Sequence, residues 1–194
     1  VLAGIVLAGG AARRLSGVDK TMVEVGGEPL LRGVLRALGR CEPVVVVGPR
    51  RRGLPERVRW TREDPPGSGP VAALAAGVAA LPETADPVAV LAGDLTGVTA
   101  ATVDRLAAAL RAATPPAQGA LLVDRDGHRQ WLVGVWRAAA LRAALPERPA
   151  GASLRGVLGG LSLVEVPALP GEADDVDTPA DLDRARRRGD DRPR

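Results

Sequence analysis

Leu7-Ala8-Gly9-Gly10-Ala11-Ala12-Arg13-Arg14-Leu15-Ser16-Gly17-Val18-Asp19-Lys20 is the stretch on which the reading of this chain turns. It continues the apolar run that begins at Gly4, so a short buried strand feeds directly into a glycine-rich turn. Consecutive glycines let a backbone come close to a ligand and aim its amides inward, the geometry that cradles phosphates. Arg13, Arg14 and Lys20 then add positive charge. Lys20 is the only lysine among 26 basic residues, a compact ammonium where every other cation is a guanidinium. The turn is not a P-loop, because Val18 and Asp19 stand between Gly17 and Lys20 where that motif needs Gly-Lys in succession. A formal dinucleotide pattern at Gly67–Ala72 follows a Pro-Pro loop instead of a strand, and is set aside.

Outward from this turn, Val-rich apolar runs alternate with longer Ala/Leu/Arg segments, as expected of strands buried on both faces and joined by helices. The pattern predicts strands at Gly4–Ala8, Pro43–Val47, Arg57–Thr61, Pro87–Leu91, Gly119–Val123, Gln130–Trp136 and Ser162–Val166. Helices are predicted at Pro29–Arg40, Pro70–Leu81, Ala100–Ala113, Arg137–Leu145, Ser153–Gly160 and Pro179–Arg188. Pro29, Pro70 and Pro179 stand where a first-turn proline is tolerated, and Thr178 is a candidate N-cap. Val103, Leu106, Ala107 and Leu110 recur at helical spacing and mark one buried face. The fold class is therefore α/β, a three-layer Rossmann-like arrangement with a mostly parallel sheet. Its ligand belongs beyond the carboxyl ends of the strands, which singles out the longer loops Arg50–Leu54, Asp64–Gly69 and Pro167–Asp175.

A length of 194 residues with 46% hydrophobic content suits one domain, here residues 1–188 with a charged tail from Gly189 expected to fray. With three Trp and no Phe or Tyr, the core must be built from small aliphatic side chains. A single cysteine, Cys41, rules out an internal disulfide and a multi-cysteine zinc site. The high pI of 10.2 at a net charge of only +3 reflects arginine's high pKa and does not signal nucleic acid, since no aromatics are interleaved among the bases. No apolar run reaches the length of a membrane span, and the expected location is the cytoplasm. His128, in Asp124-Arg125-Asp126-Gly127-His128, reads as a solvated turn residue, while Arg50–Arg52 could be a solvated charge run or touch an anionic substrate.

The motifs as a series resemble the molybdenum cofactor guanylyltransferases and their nucleotidyltransferase relatives. LAGG at Leu7–Gly10, the basic residues after it and the closing Asp19-Lys20 are similar to that family's signature. Glu63-Asp64-Pro65-Pro66-Gly67-Ser68-Gly69-Pro70 resembles its acidic-Pro-Gly-Pro loop, VLAGDL at Val90–Leu95 its strand ending in a metal-binding aspartate, and DVDTP at Asp175–Pro179 its closing motif. Gln130 with its strand and Ser153-Leu154-Arg155 resemble further family segments. The resemblance implies transfer of GMP from GTP to molybdopterin bearing molybdenum, with magnesium as cofactor and release of pyrophosphate. It also implies transient contact with proteins that deliver or accept the cofactor, and no nucleic acid or membrane partner. Leu7, Ala8, Gly9, Gly10, Lys20, Asp64, Gly69 and Asp94 are the implied nucleotide contacts.

The chemistry fits those residue types. An acceptor phosphate must attack the α-phosphorus of a nucleotide although both are anions, so cations have to bring them together. Arg14 and Lys20 are the candidates to neutralise the β- and γ-phosphates, and Asp94 with Asp177 or Asp175 the candidates to hold magnesium. No general base is needed, because the acceptor phosphate is already ionised. Cytidylyl or sugar-phosphate transfer, and a non-catalytic nucleotide-binding homologue, are the alternatives.

Overall fold

The computed structural model describes residues 1–9, 14–15 and 17–190; at 14, 15, 189 and 190 the description is of the backbone alone. Its main sheet has seven strands: β1 (Ala3–Leu7), β2 (Val44–Val47), β3 (Val58–Thr61), β4 (Val88–Ala92), β5 (Gly119–Val123), β6 (Arg129–Trp136) and β7 (Leu163–Pro167). They lie in the order β7-β5-β6-β4-β1-β2-β3. The helices are α1 (Leu30–Ala37), α2 (Pro70–Ala79), α3 (Ala100–Ala112), α4 (Ala138–Ala144), α5 (Leu154–Leu158) and α6 (Pro179–Asp190). Each expected strand and helix is present, with ends moved by a few residues.

β1, β2 and β4 are buried along their whole length, which is why they read as unbroken Val/Ala/Leu runs without alternation. Their side chains alternate between two cores. On one face Val6, Val46 and Leu91 pack against Leu31, Val34 and Leu35 of α1 and against Val103, Leu106 and Leu110 of α3. On the other, Ile5, Val45 and Val90 meet Leu74 and Val78 of α2, Leu141 of α4 and Leu158 of α5. Each fully buried leucine contributes roughly 1.5–3 kcal/mol relative to exposure.

The sheet departs from all-parallel pairing at β6, which runs antiparallel to both β4 and β5. Only Asp124–His128 separates β5 from β6, too short for the crossover that parallel neighbours require. The remaining neighbours are parallel. Because β1 lies between β2 and β4, the chain leaves it toward one side of the sheet and returns to β4 on the other. This is the switch point at which an open α/β sheet binds its ligand. Thr178 caps α6 as expected, its hydroxyl accepting from the Asp181 amide at 3.2 Å while Asp181 accepts from the Thr178 amide and hydroxyl at 2.7 Å. Among the described residues no helix is long and apolar enough to cross a membrane.

Candidate active site

The carboxyl ends of four strands are laced together by single backbone hydrogen bonds. The Gly48 amide donates to Thr61 O at 2.9 Å, the Ala8 amide to Val47 O at 2.8 Å, and the Gly93 amide to Leu7 O at 2.9 Å. The loops after β3, β2, β1 and β4 therefore start side by side. Gly48, at φ +149°, passes so close that a Cβ there would sit 2.7 Å from Ala8 O. Gly93 is similarly enclosed, with Ala8 Cβ and Thr21 Cγ2 3.1 and 3.2 Å from where its own Cβ would be. The turn that carries Lys20 thus lies against the residue preceding Asp94.

Lys20 opens a one-turn 3-10 helix, Lys20–Met22, whose N-cap is Asp19: one oxygen of Asp19 accepts from the Thr21 amide at 3.1 Å and from its hydroxyl at 2.7 Å. The other accepts from Arg51 Nε at 2.6 Å. Arg51 also donates to Ala8 O at 2.7 Å and Pro49 O at 3.1 Å, so one guanidinium ties the Lys20 turn to the end of β1. Of the basic run Arg50–Arg52, then, the central residue is not a solvated charge. Its side chain is 10% exposed and structural. This pairing holds the Asp19 carboxyl below its ordinary value, against the opposing effect of its own partial burial. We expect Arg51→Ala to lower stability by about 1.5–3 kcal/mol, the range for charged hydrogen bonds, with the solvent access of Asp19 favouring the lower end. Arg51→Lys should not restore it, since one ammonium cannot reproduce the fork. Thermal unfolding of both variants checks this, and a wild-type midpoint in Arg51→Ala contradicts it.

The structure brings Lys20 to the closing motif 157 residues away: its ammonium donates to Asp177 Oδ1 at 2.7 Å, with the lysine 5% exposed and the aspartate 67%. Asp94 is buried at the end of β4. Asp175 is near enough to these groups to feel their charge. Partial desolvation of its carboxyl, reinforced by Asp177 and then Asp94, pushes its pKa up to about 6, and Lys20 offsets this only weakly. Asp175 therefore feels the charge of both Asp177 and Asp94, and carboxylates of this kind are oxygen donors of the type a divalent cation takes.

On the opposite side of the glycine turn, the sequence singles out Asp64, but Asp64 is exposed and it is Glu63 that turns inward, 5% exposed. Glu63 Oε1 accepts from the Gly67 amide at 3.0 Å, whereas Oε2 is buried with no partner among the described residues. Both oxygens lie 3.7 Å from where a Cβ on Gly9 would be, which puts an acceptor beside the start of the glycine turn. Gly69 is the N-cap of α2, at φ +98°. Leu7 and Ala8 are buried under the turn, and Gly9 is half-buried on its surface. Gly10 and the side chain of Arg14 lie outside the described residues, as do residues 191–194 of the charged tail.

Two other places draw attention and do not compete. Asp124, Asp126 and His128 could offer ligand atoms within 4.8 Å of one another, but Asp124 accepts from the amides of Asp126 and His128 at 2.9 Å, the bonding of a solvated turn. A cleft of about 1120 Å³ between α1, α6 and the Leu95–Ala100 loop contains Arg36 and Arg188, yet these are already paired with Glu28 and Asp174.

Residues 4–166 match the MobA-like NTP transferase domain family. The chain is 33% identical over 201 residues to the molybdenum cofactor guanylyltransferase of Rhodobacter capsulatus, covering 95% of this chain and 94% of that one. Among solved structures it resembles molybdopterin-guanine dinucleotide biosynthesis protein A from Archaeoglobus fulgidus, at 19% identity and a TM-score of 0.69 over 99% and 100% of the two chains. It also resembles the Rv0371C protein of Mycobacterium tuberculosis in complex with manganese, at 17% identity and a TM-score of 0.68 over 96% and 98%.

Proposed function

The chain belongs to the MobA-like NTP transferase family and is a nucleotidyltransferase, and on that premise we propose that it transfers GMP from GTP to molybdenum-bearing molybdopterin, releasing pyrophosphate. The observation that carries this reading is the Lys20–Asp177 contact across 157 residues at the switch point of the sheet, with Asp94 and Asp177 near enough to Asp175 for their charge to be felt there. In the reaction an oxygen of the acceptor phosphate forms a bond to the α-phosphorus. The bond from that phosphorus to the bridging oxygen breaks, and its electron pair leaves with pyrophosphate.

Residue roles follow from position along the ligand edge. The loop after β3 takes the base, the glycine turn after β1 the phosphates, and the loop after β4 the metal. Asp94, with Asp175 or Asp177, would hold magnesium, and the manganese complex of the mycobacterial fold relative is in keeping with a divalent ion. Bound there, such an ion supplies positive charge at the phosphate oxygens and lowers the cost of bringing two anions together. Leu7–Gly9 and Gly69 present backbone groups and Lys20 a cation, while Gly10 and Arg14 keep the roles that the family resemblance implies for them. Asp64 is the acidic residue of this loop that the family resemblance offers to guanine, and the unpartnered Oε2 of Glu63 beside Gly9 makes Glu63 a second candidate to accept its ring N–H and amino group.

Thermal unfolding with GTP or CTP in magnesium tests the base. We expect greater protection by GTP, and Glu63→Gln to weaken GTP roughly 10- to 100-fold, the scale of a lost charged hydrogen bond. Stronger protection by CTP rejects the guanylyl assignment. For the reaction itself, the assay supplies GTP, magnesium and molybdenum-loaded molybdopterin. If no pyrophosphate is released, the fold serves binding alone.

A further inference from the structure

Glu172 lies outside every motif of the sequence, yet it is one of the few buried charged residues, at 6% exposure. Its carboxylate is fully engaged. Oε1 accepts from the Thr102 hydroxyl at 2.7 Å and from Arg105 at 2.9 Å; Oε2 accepts from Arg105 at 2.6 Å and from the Leu169 amide at 2.7 Å. Thr102 is itself part of the cap of α3, its oxygen accepting from the Thr99 amide at 3.1 Å. Glu172 thus fastens the turn after β7 to the first turns of α3, and its bonds hold its own carboxyl below the ordinary value despite burial.

That turn is in turn sewn to the loop that begins at Asp94. The Thr96 amide and hydroxyl both donate to Asp174 O, at 2.9 and 3.2 Å. Gly97 lies so close to Gly171 that a Cβ would come within 2.1 Å of the Gly171 carbonyl oxygen. The next residue after Asp174 is Asp175, and two further on is Asp177, the partner of Lys20. The two loops that carry the carboxylates are therefore joined, and Glu172 is a buried tie that fastens them to α3, beside the Arg188–Asp174 pair on α6.

We propose that Glu172 is a positioning residue for the metal site: through the Thr96–Asp174 and Gly97–Gly171 contacts it sets the separation of Asp94 from Asp175 and Asp177, and so the affinity for a divalent cation. It touches neither nucleotide nor metal. The inference rests on the reading of Asp94 as a metal-binding carboxylate. A hydrogen-bonding partner behind a metal-binding group is worth about 10- to 100-fold in affinity, because the ligand atoms stay present but lose their preset geometry.

The test is Mn²⁺ binding, followed by electron paramagnetic resonance of the free ion, in the presence of a GTP analogue with a methylene α,β bridge. Wild type, Glu172→Gln, Thr96→Val and Asp94→Asn are compared at a temperature well below every midpoint, so that lost stability alone leaves the result unmoved. Glu172→Gln is expected to weaken Mn²⁺ about tenfold, and turnover at saturating metal to recover toward wild type. Thr96→Val, which keeps the side-chain shape and removes one of the two bonds to Asp174, is expected to weaken it about threefold. If both variants bind Mn²⁺ as wild type does while Asp94→Asn does not, Glu172 is structural only and the inference fails alone. If Asp94→Asn binds as well as wild type, the metal reading of Asp94 fails and takes the inference with it.

Discussion

Lys20→Ala is expected to lower the rate of pyrophosphate release by at least about a hundredfold while leaving the protein folded, the scale on which a group that stabilises developing charge acts. The argument begins with composition, one lysine against 25 arginines, and is made specific by geometry. The ammonium is nearly enclosed, it sits on a turn fixed by Asp19 and Arg51, and it faces the closing motif at 2.7 Å from Asp177. A triphosphate entering the glycine turn meets a cation whose place is already set, so little reorganisation opposes its use. The enclosure also excludes the obvious substitute. Lys20→Arg brings a larger, planar fork into a space fitted to a compact ammonium, and should remain well below wild type. Circular dichroism and the thermal midpoint establish that each variant is folded; a near-normal rate in a folded Lys20→Ala protein removes Lys20 from the site.

The elements that the sequence disclosed are those whose signal is local. Strands buried on both faces show as Val runs, helices begin at Pro70 and Pro179, and the cap at Thr178 needs only Asp181 three residues on. The expectation of a mostly parallel sheet did not say which strand reverses; it is β6, because the five residues from Asp124 to His128 can close a hairpin but not a crossover. The residues that escaped are those whose meaning lies in distant partners. Arg51 acts on Asp19 32 residues earlier, and Glu172 on Thr102 70 residues earlier, and no periodicity or spacing records either pairing. Glu63 is an intermediate case. Arg62 is exposed, Glu63 buried and Asp64 exposed, the alternation of an extended chain continuing past β3, so the inward turn of Glu63 could be read only with the phase of the strand.

Asp94→Asn is expected to cost at least about a hundredfold in turnover as well, and to differ from Asp177→Asn in a way that separates their roles. Asparagine keeps the size of Asp94, so the loop from Gly93 retains its contacts with Thr21, Asp174 and Gly171. What disappears is one negative charge at a buried position, the charge a magnesium ion needs most because few waters can take its place there. The part of the thermal protection by GTP that depends on magnesium should vanish with it. Asp177 is largely open to solvent and spends its charge on Lys20, so its removal acts first on the lysine. In Asp177→Asn the ammonium is no longer held by a carboxylate, and GTP added without divalent metal should bind several-fold more tightly than to wild type, by about the worth of a weak ion pair. In Asp94→Asn that metal-free affinity should change much less, since the Lys20–Asp177 pair is intact. Titrating GTP into wild type and both variants with and without magnesium gives the six numbers needed. Equal magnesium dependence in wild type and Asp94→Asn would place the metal elsewhere, and an unchanged metal-free affinity in Asp177→Asn would mean that the pair does not compete with the phosphates.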